Sequence, residues 1–355
     1  MGICSEDRTM LSIDPMAESK SIPGYDSFTD LYTIMEETVR NDSVIYRNIV
    51  ETESSLLTIS EADGARNSKY VDTIAKLNTS IVASLNSYIA KIKSVCAGIK
   101  NKLASFRADK LSKTIERYSA EFARNKDLAS SSRFVVKYDK KALLCTDKEL
   151  EQFAIKAGKS AKDLAKNSLN LAKNNAAAIN KKGDSIYKVP VLEKYAKDFC
   201  CCCGEKGEKV KGNPFTDGFT TKKLEDELKK AAGIDKALDS LCASGVQALE
   251  EINKIAGKIN SDAQKNPAKV ENTDVETILA VGAISTGISK GLIHATSDIV
   301  RIYKKHINEC VKVYISIAKM KAVKQESGEI EYVGSPVAIC EADILAEDFD
   351  MMMDI

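Results

Sequence analysis

Three residue types are scarce in this sequence, and their scarcity narrows the classes of function that it fits. The chain contains no tryptophan, two histidines and six prolines, and aromatic residues make up 6% of it. Two histidines leave little from which to build a Ser-His-Asp or Cys-His catalytic arrangement. Helix breakers are few, while alanine, lysine, leucine and glutamate, which lose little freedom in a helix, are abundant. The composition therefore predicts an all-α protein.

Signatures of nucleotide-binding enzymes are missing as well. Gly204 to Gly207 and Gly282 to Gly291 contain glycines, but neither segment has the strand-to-helix context of a phosphate-binding loop. Acidic residues are plentiful, yet no pattern marks a catalytic carboxylate pair. We therefore predict a protein that is not an enzyme and uses no cofactor. An enzyme with an unmarked carboxylate site stays open as a third reading, because only geometry reveals such a pair.

Two long segments repeat apolar residues at intervals of three and four, which is the spacing of an amphipathic bundle or coiled-coil helix. The first runs from Asn67 to about Lys126, and the second from about Thr273 to Val323. The apolar positions of the first are Ile74, Ile81, Leu85, Tyr88, Ile92, Val95, Ile99, Leu103 and Phe106. Those of the second are Val281, Ile284, Ile288, Leu292, Ala295, Ile299, Ile302, His306, Cys310, Val313, Ile317 and Met320. We predict that these helices pack antiparallel as the core of an elongated helical bundle with little or no β structure.

Composition and turn signals divide the chain into six regions. These are an irregular leader at 1–25, an acidic helical hairpin at 26–63, a long basic helix with a short β-like segment at 64–141, Ala/Lys-rich helices at 142–263 with a cysteine-rich loop at 199–218, a long C-terminal helix at 264–323, and an acidic tail at 324–355.

Shorter elements follow from local signals. Serines before Arg133 to Tyr138 and glycines around Ile330 to Val333 indicate two β-like segments. The middle helices are predicted from Asp147 to about Asn180 and from Thr220 to about Asn260, the latter interrupted near Gly233 and Gly245. Between them, glycine, proline and lysine predict a loop from Lys181 to Asp217.

The net charge of +1 conceals an uneven distribution. Residues 1–63 carry 13 acidic and 4 basic side chains, residues 65–141 carry 6 and 17, and residues 324–355 carry 9 and 1. A helical region with this excess of positive charge attracts a polyanion or an acidic partner, although lysines spread round a helix also serve as a solvated face. The 65–141 region is therefore the candidate contact to DNA.

Ten cysteines are scattered along the chain, and the first 16 residues lack the apolar core of a signal peptide. Thiols in that context indicate a reducing compartment. Cys200 and Cys203 have CxxC spacing, but a tetrahedral zinc site needs four ligands and no second CxxC or nearby histidine is present. A shared zinc site, a redox pair, acylation and a plain cysteine-rich turn all stay open, while His306 is predicted to be a core or interface histidine.

No segment reaches the roughly twenty consecutive apolar residues that a bilayer requires. The most apolar stretch, Ile278 to Ile293, is interrupted by serines, a threonine and Lys290. Small residues in such a stretch nevertheless support helix association in lipid, so a membrane-associating or pore-forming protein is the second reading.

Three short sequences near the ends share one form. They are Met16-Ala17-Glu18, Ile339-Cys340-Glu341 and Leu345-Ala346-Glu347. They resemble the sites of prohead maturation proteases of large tailed bacteriophages, which cut after glutamate with an apolar residue two positions before it. The resemblance implies processing after Glu18 and after Glu341 or Glu347.

Such processing would change the charge of the chain. Residues 19–341 have a net charge of +9, because each removed end is acidic. The lysine-rich helical composition also resembles that of internal head proteins of such phages. The resemblance implies a virion structural protein made in the host cytoplasm and packed in the capsid interior. Its expected partners are DNA, other head proteins and further copies of the chain.

Overall fold

A computed structural model describes residues 63–131, 133–145, 147–200, 209–229, 232–324 and 329–334. Of the described residues 86% are helical, which confirms the all-α prediction. The predictions of a leader at 1–25, of a hairpin up to residue 62 and of a tail beyond residue 334 lie outside these ranges.

Eight helices are described. They are α1 (Asp63–Phe106), α2 (Ser112–Ser131), α3 (Lys140–Leu144), α4 (Asp147–Lys182), α5 (Pro190–Asp198), α6 (Thr221–Lys229), α7 (Ala232–Lys265) and α8 (Asn272–Ala318). A π-helical turn at Arg107–Leu111 separates α1 from α2, and short 3₁₀ turns lie at Gly183–Lys188, Pro214–Asp217 and Pro267–Lys269. The predicted seam of α1 is buried at every position, as is that of α8 up to Ile317.

Four short strands form one mixed sheet. They are β1 (Phe134–Asp139), β2 (Lys209–Gly212), β3 (Lys321–Lys324) and β4 (Ile330–Val333), in the order β2-β1-β4-β3. β1 is antiparallel to β2 and parallel to β4, and β3 is antiparallel to β4. The β-like segments predicted at Arg133 to Tyr138 and Ile330 to Val333 are thereby confirmed.

The chain forms two compact units. The first takes residues up to Ser94, Lys156–Cys200 and Leu241–His294. The second takes Val95–Ile155, the residues between Cys201 and Ser240, and those from Ala295 onward, and it contains the whole sheet.

Close backbone approach organises the first unit. A Cβ on Gly287 would lie 2.2 Å from Ile186 Cδ1, and a Cβ on Gly291 would lie 2.7 Å from the ring of Phe199. The buried Tyr187 hydroxyl donates a hydrogen bond of 2.8 Å to the Gly287 carbonyl oxygen. Glycines of α8 therefore admit side chains of the 3₁₀ turn before α5 and of α5's C-terminal end, which is a packing role.

Aromatic packing and one amide organise the second unit. Phe122 of α2 stacks on Tyr314 of α8 with ring centroids 4.1 Å apart. The Asn125 side-chain amide donates to the carbonyl oxygens of Ile317 and Ala318, at 3.1 and 3.0 Å. These carbonyls belong to the last turn of α8, where helical amides run out, and that of Ile317 also accepts from the Met320 amide at 3.3 Å. Asn125 therefore stabilises the C-terminal end of α8.

Three sequence predictions were wrong. Lys321 to Val323 form strand β3 rather than the end of the last helix, because α8 stops where Asn125 binds its carbonyls. The predicted loop from Lys181 to Asp217 contains α5, which begins at Pro190, and β2. α7 continues through Gly245, where a Cβ would lie 2.9 Å from Leu292, so this glycine serves packing rather than interruption.

Candidate functional site

The outer face of the small sheet collects lysines from three separate segments. In β1 the side chains of Phe134, Val136 and Tyr138 are buried, so the alternate residues Val135, Lys137 and Asp139 lie on the opposite face. Residues that are paired across neighbouring strands lie on the same face of a sheet. The strand register therefore identifies the other residues of this surface. We call the four exposed lysines on it the lysine face: Lys137, Lys209, Lys211 and Lys321, which share this surface with the carboxylates of Asp139 and Glu331.

Two of these lysines are direct cross-strand neighbours. Lys137 of β1 pairs with Lys211 of β2, and the next outer pair is Asp139 with Lys209. Directly opposite side chains have Cβ atoms roughly 5 Å apart, and like charges at that distance destabilise a sheet. Edge lysines also protect a sheet from pairing with other chains, which accounts for Lys209 and Lys211 on β2. It does not account for Lys137, which lies on an inner strand.

The lysine face coincides only in part with the basic region that the sequence places at 65–141. Several cations of that region, among them Lys76, Lys93, Lys113 and Arg124, are exposed on helices. Only Lys137 joins the lysine face from there, and the other three lysines come from β2 and β3. The alternation in Lys209-Val210-Lys211 is the sequence signal that sequence reasoning missed.

A second candidate is a buried polar cluster in the same unit, centred on His306 of α8. The His306 side chain is 3% exposed, and its Nδ1 lies 3.0 Å from the Ala142 carbonyl oxygen. Its Nε2 lies 3.6 Å from Cys310 Sγ and 3.6 Å from Glu227 Oε2. Burial lowers the pKa of His306, but Cys310, Glu227 and the Ala142 carbonyl outweigh it and raise the pKa well above its ordinary value. These contacts therefore favour the protonated imidazole, and His306 occupies the core position that the sequence predicted.

Two carboxyl groups near His306 are pushed in opposite directions. Burial raises the pKa of Asp147, and the charge of Glu227 adds to that effect. Burial also opposes ionisation of Glu227, but contact with His306 lowers the pKa of that carboxyl below its ordinary value. Carboxyl groups whose pKa values are shifted in opposite directions occur in the acid-base pairs of enzymes, and also in structural ion pairs.

Arg107 completes the cluster from the π-helical turn between α1 and α2. Burial lowers the pKa of its guanidinium to about 10. Its Cζ lies 5.5 Å from the centre of the Tyr303 ring, and charge interactions connect it to Asp147, Asp235 and Glu227. Its Nη1 and Nη2 atoms are buried without a hydrogen-bond partner, so these carboxyls stabilise the guanidinium through charge alone.

The Cys310–His306 pair has the residue types of a thiol nucleophile and its base. Cys310 is fully buried, and the two residues lie one turn apart on α8. His306 Nδ1 is occupied by the Ala142 carbonyl, while Glu227 and Cys310 share the other ring nitrogen. In a catalytic triad the carboxylate lies on the nitrogen opposite the nucleophile. The arrangement fits a structural network better than a nucleophilic site.

The residues singled out from the sequence are only partly described. Cys200 is half-buried two residues after the end of α5, while Cys203 lies outside the described residues. Among the residues that the structure describes, no group of three or more possible ligands is placed to hold a metal ion. The predicted processing sites Glu18, Glu341 and Glu347 also lie outside them.

One helix of the described chain, α8, is long and apolar enough to cross a membrane by length and composition. Of its most apolar window, 78% is buried inside the protein. A buried core helix passes the same test, so α8 gives only weak support to the membrane-associating reading.

Comparison of the chain with protein-family models, with curated proteins and with solved structures finds no match.

Proposed function

We propose that this chain is a non-enzymatic structural protein of a tailed-phage head, packed in the capsid interior with its lysine face against DNA. The observation that carries the DNA contact is the exposed cross-strand pair Lys137–Lys211, which places two ammonium groups side by side where a polyanion can bind both. The helical architecture fits a structural role, and the cut sites Glu18, Glu341 and Glu347 are what link the chain to a phage head.

The geometry of the lysine face suits a phosphate backbone. Strands lie about 4.8 Å apart, so the four strands cover roughly 15 Å, a width that spans several phosphates of one DNA strand. Exposed lysines bind phosphates as point charges and read no base sequence. The expected binding is therefore independent of sequence and strongly dependent on salt.

DNA binding of the full chain tests this contact. With about four lysine–phosphate contacts, affinity for a random 20-base-pair duplex should fall on the order of 100-fold between about 50 and 200 mM salt. The double variant K137Q/K211Q should reduce the slope of log affinity against log salt by about two. Fluorescence anisotropy titrations at several salt concentrations give both quantities.

A matched control separates the lysine face from net charge. K148Q/K173Q removes the same charge from exposed positions on α4 and should leave the slope nearly unchanged. An equal loss in both double variants would reject the lysine face as the DNA contact. Binding of the full chain to another head protein, with no affinity for DNA, would instead assign the partner as protein.

Mass spectrometry of purified particles tests the phage assignment and the processing together. Peptides from residues 1–18 and 342–355 should be depleted relative to the middle of the chain. Full recovery of both ends in particles would reject processing, and absence of the chain from particles would reject the virion role.

A further inference from the structure

The lysine face lies beside the point where the most acidic segment of the chain begins. Residues 335–355 contain six acidic side chains and no lysine or arginine. We propose that this acidic segment docks on the lysine face of its own chain and competes there with an external polyanion. The competition rests on the proposed DNA contact, whereas the docking does not depend on that contact.

The exit point of the segment is fixed by the sheet. Val333 of β4 pairs with Val135 of β1 in parallel, and the Gly334 amide donates a 3.1 Å hydrogen bond to the Val135 carbonyl oxygen. A Cβ on Gly334 would lie 3.0 Å from Ser316 Cβ and 3.4 Å from Val136 Cγ2, so the backbone approaches its neighbours closely here. The chain therefore leaves the sheet level with Val136, one residue before Lys137.

The acidic side chains are within reach of the lysines. An extended chain spans about 3.3 Å per residue, so the residues from 335 to Glu341 cover on the order of 20 Å. The lysine face is roughly 15 Å wide. The acidic residues from Glu341 to Asp354 can therefore meet the lysines without any movement of the sheet.

Charge density favours this segment over the other acidic end. Residues 1–62 carry 12 acidic and 4 basic side chains, so their negative charge is spread over a longer, mixed sequence. They enter the described chain at Asp63, in the first unit, whereas the lysine face lies in the second. A tether that starts at the binding surface itself gives an effective concentration in the millimolar range.

Carbodiimide cross-linking tests the docking without any DNA. The reagent joins a carboxylate and an amine in direct contact through an amide bond, with loss of water to the carbodiimide. At about 50 mM salt, mass spectrometry should find links from Lys137, Lys209 or Lys211 to the acidic residues after Glu341, and about 500 mM salt should suppress them. Links of these lysines to residues 1–62, or tail links spread over lysines elsewhere, would overturn the proposal.

A charge-neutral full-length variant tests the competition. It carries E341Q, D343N, E347Q, D348N, D350N and D354N. It should bind the duplex about three- to tenfold more tightly than the natural chain, as expected for removal of a weak tethered competitor. The matched control carries D30N, E36Q, E37Q, D42N, E51Q and E53Q, which change the net charge equally.

The two variants distinguish the possible failures. Equal gains in affinity from both would mean that net charge, not docking, sets DNA affinity, and would overturn the competition. No gain from the tail variant, with K137Q/K211Q still weakening binding, would reject the competition while the DNA contact holds. Loss of both effects, with the cross-links present, would reject the DNA contact alone.

Discussion

At the scale of single residues, the pH dependence of the second unit's stability should come chiefly from His306. The folded protein raises its pKa above the ordinary value of about 6.5. Its contribution to stability is therefore fully present below that value and is lost as pH rises through the raised folded pKa. Glu227 behaves in the opposite way, because its lowered pKa gives stability that is lost only as pH falls through the folded value.

Replacement of His306 by glutamine should therefore lower stability most at mildly acidic pH. Removal of one partner of a buried ion pair costs about 3 kcal/mol, since the other charge stays buried without compensation. We expect about that loss at pH 6 and a smaller loss at pH 9, measured by urea unfolding at both values. The natural chain, unfolded at the same two pH values, is the reference.

If H306Q and the natural chain show the same loss of stability between pH 6 and pH 9, His306 is not the titrating group. The charges of Arg107, Asp147 and Glu227 would then have to sum to zero beside an uncharged imidazole.

At the scale of elements, the contact of α8 with the 3₁₀ turn before α5 depends on Gly287. A methyl group there would overlap Ile186, and overpacking of a close-packed core costs typically 1–3 kcal/mol. G287A should lower the midpoint of thermal unfolding accordingly. G257A on α7 is the matched control, because nothing lies within 4 Å of its added Cβ. That control should be neutral or slightly stabilising, as alanine is the better helix former.

A thermal midpoint of G287A at or above that of G257A would show that the turn moves aside at no cost. Gly287 would then have no packing role in the first unit.

The boundary between α8 and β3 depends on Asn125. N125A removes the side-chain donor from the Ala318 carbonyl and from that of Ile317, which keeps the Met320 amide at 3.3 Å, and this should cost about 1–2 kcal/mol. Amide hydrogen exchange of residues 319–324 should accelerate, because the start of β3 is no longer held at the end of the helix. N167A, which removes an exposed bond within α4 alone, should change neither quantity measurably. Equal exchange rates in N125A and the natural chain would rule out this role.

The boundary between α8 and β3 illustrates which features could be predicted from the sequence and which could not. The seam of α1, for example Ile81 and Leu85, follows from local periodicity, and both residues are buried as expected. Lys321 continues a helical pattern in the sequence, yet the helix ends at Ala318, whose carbonyl accepts a hydrogen bond from the distant Asn125. The polar cluster could not be predicted for a similar reason, since Arg107, Glu227 and His306 come from three separate elements.

At the scale of the whole molecule, the lysine face exists only through pairing of distant segments. Lys137 and Lys211 meet across β1 and β2, and Phe134 meets Tyr332 across β1 and β4. A count of charges along the sequence places the excess of basic residues at 65–141. Such a count cannot show which strands become neighbours in the sheet. The lysines of β2 and β3 gained their place from topology rather than from local composition.

The parallel pairing of β1 with β4 has a consequence for biosynthesis. β1 emerges early from the ribosome, while β4 is among the last elements of the described chain to be translated. Contacts between distant segments form late, because closing a long loop costs entropy before the contact gives any stability. A nascent chain therefore carries its helices without a lysine face. The surface proposed for polyanions would therefore be assembled only after β4 has been translated, just ahead of the acidic segment proposed to cover it.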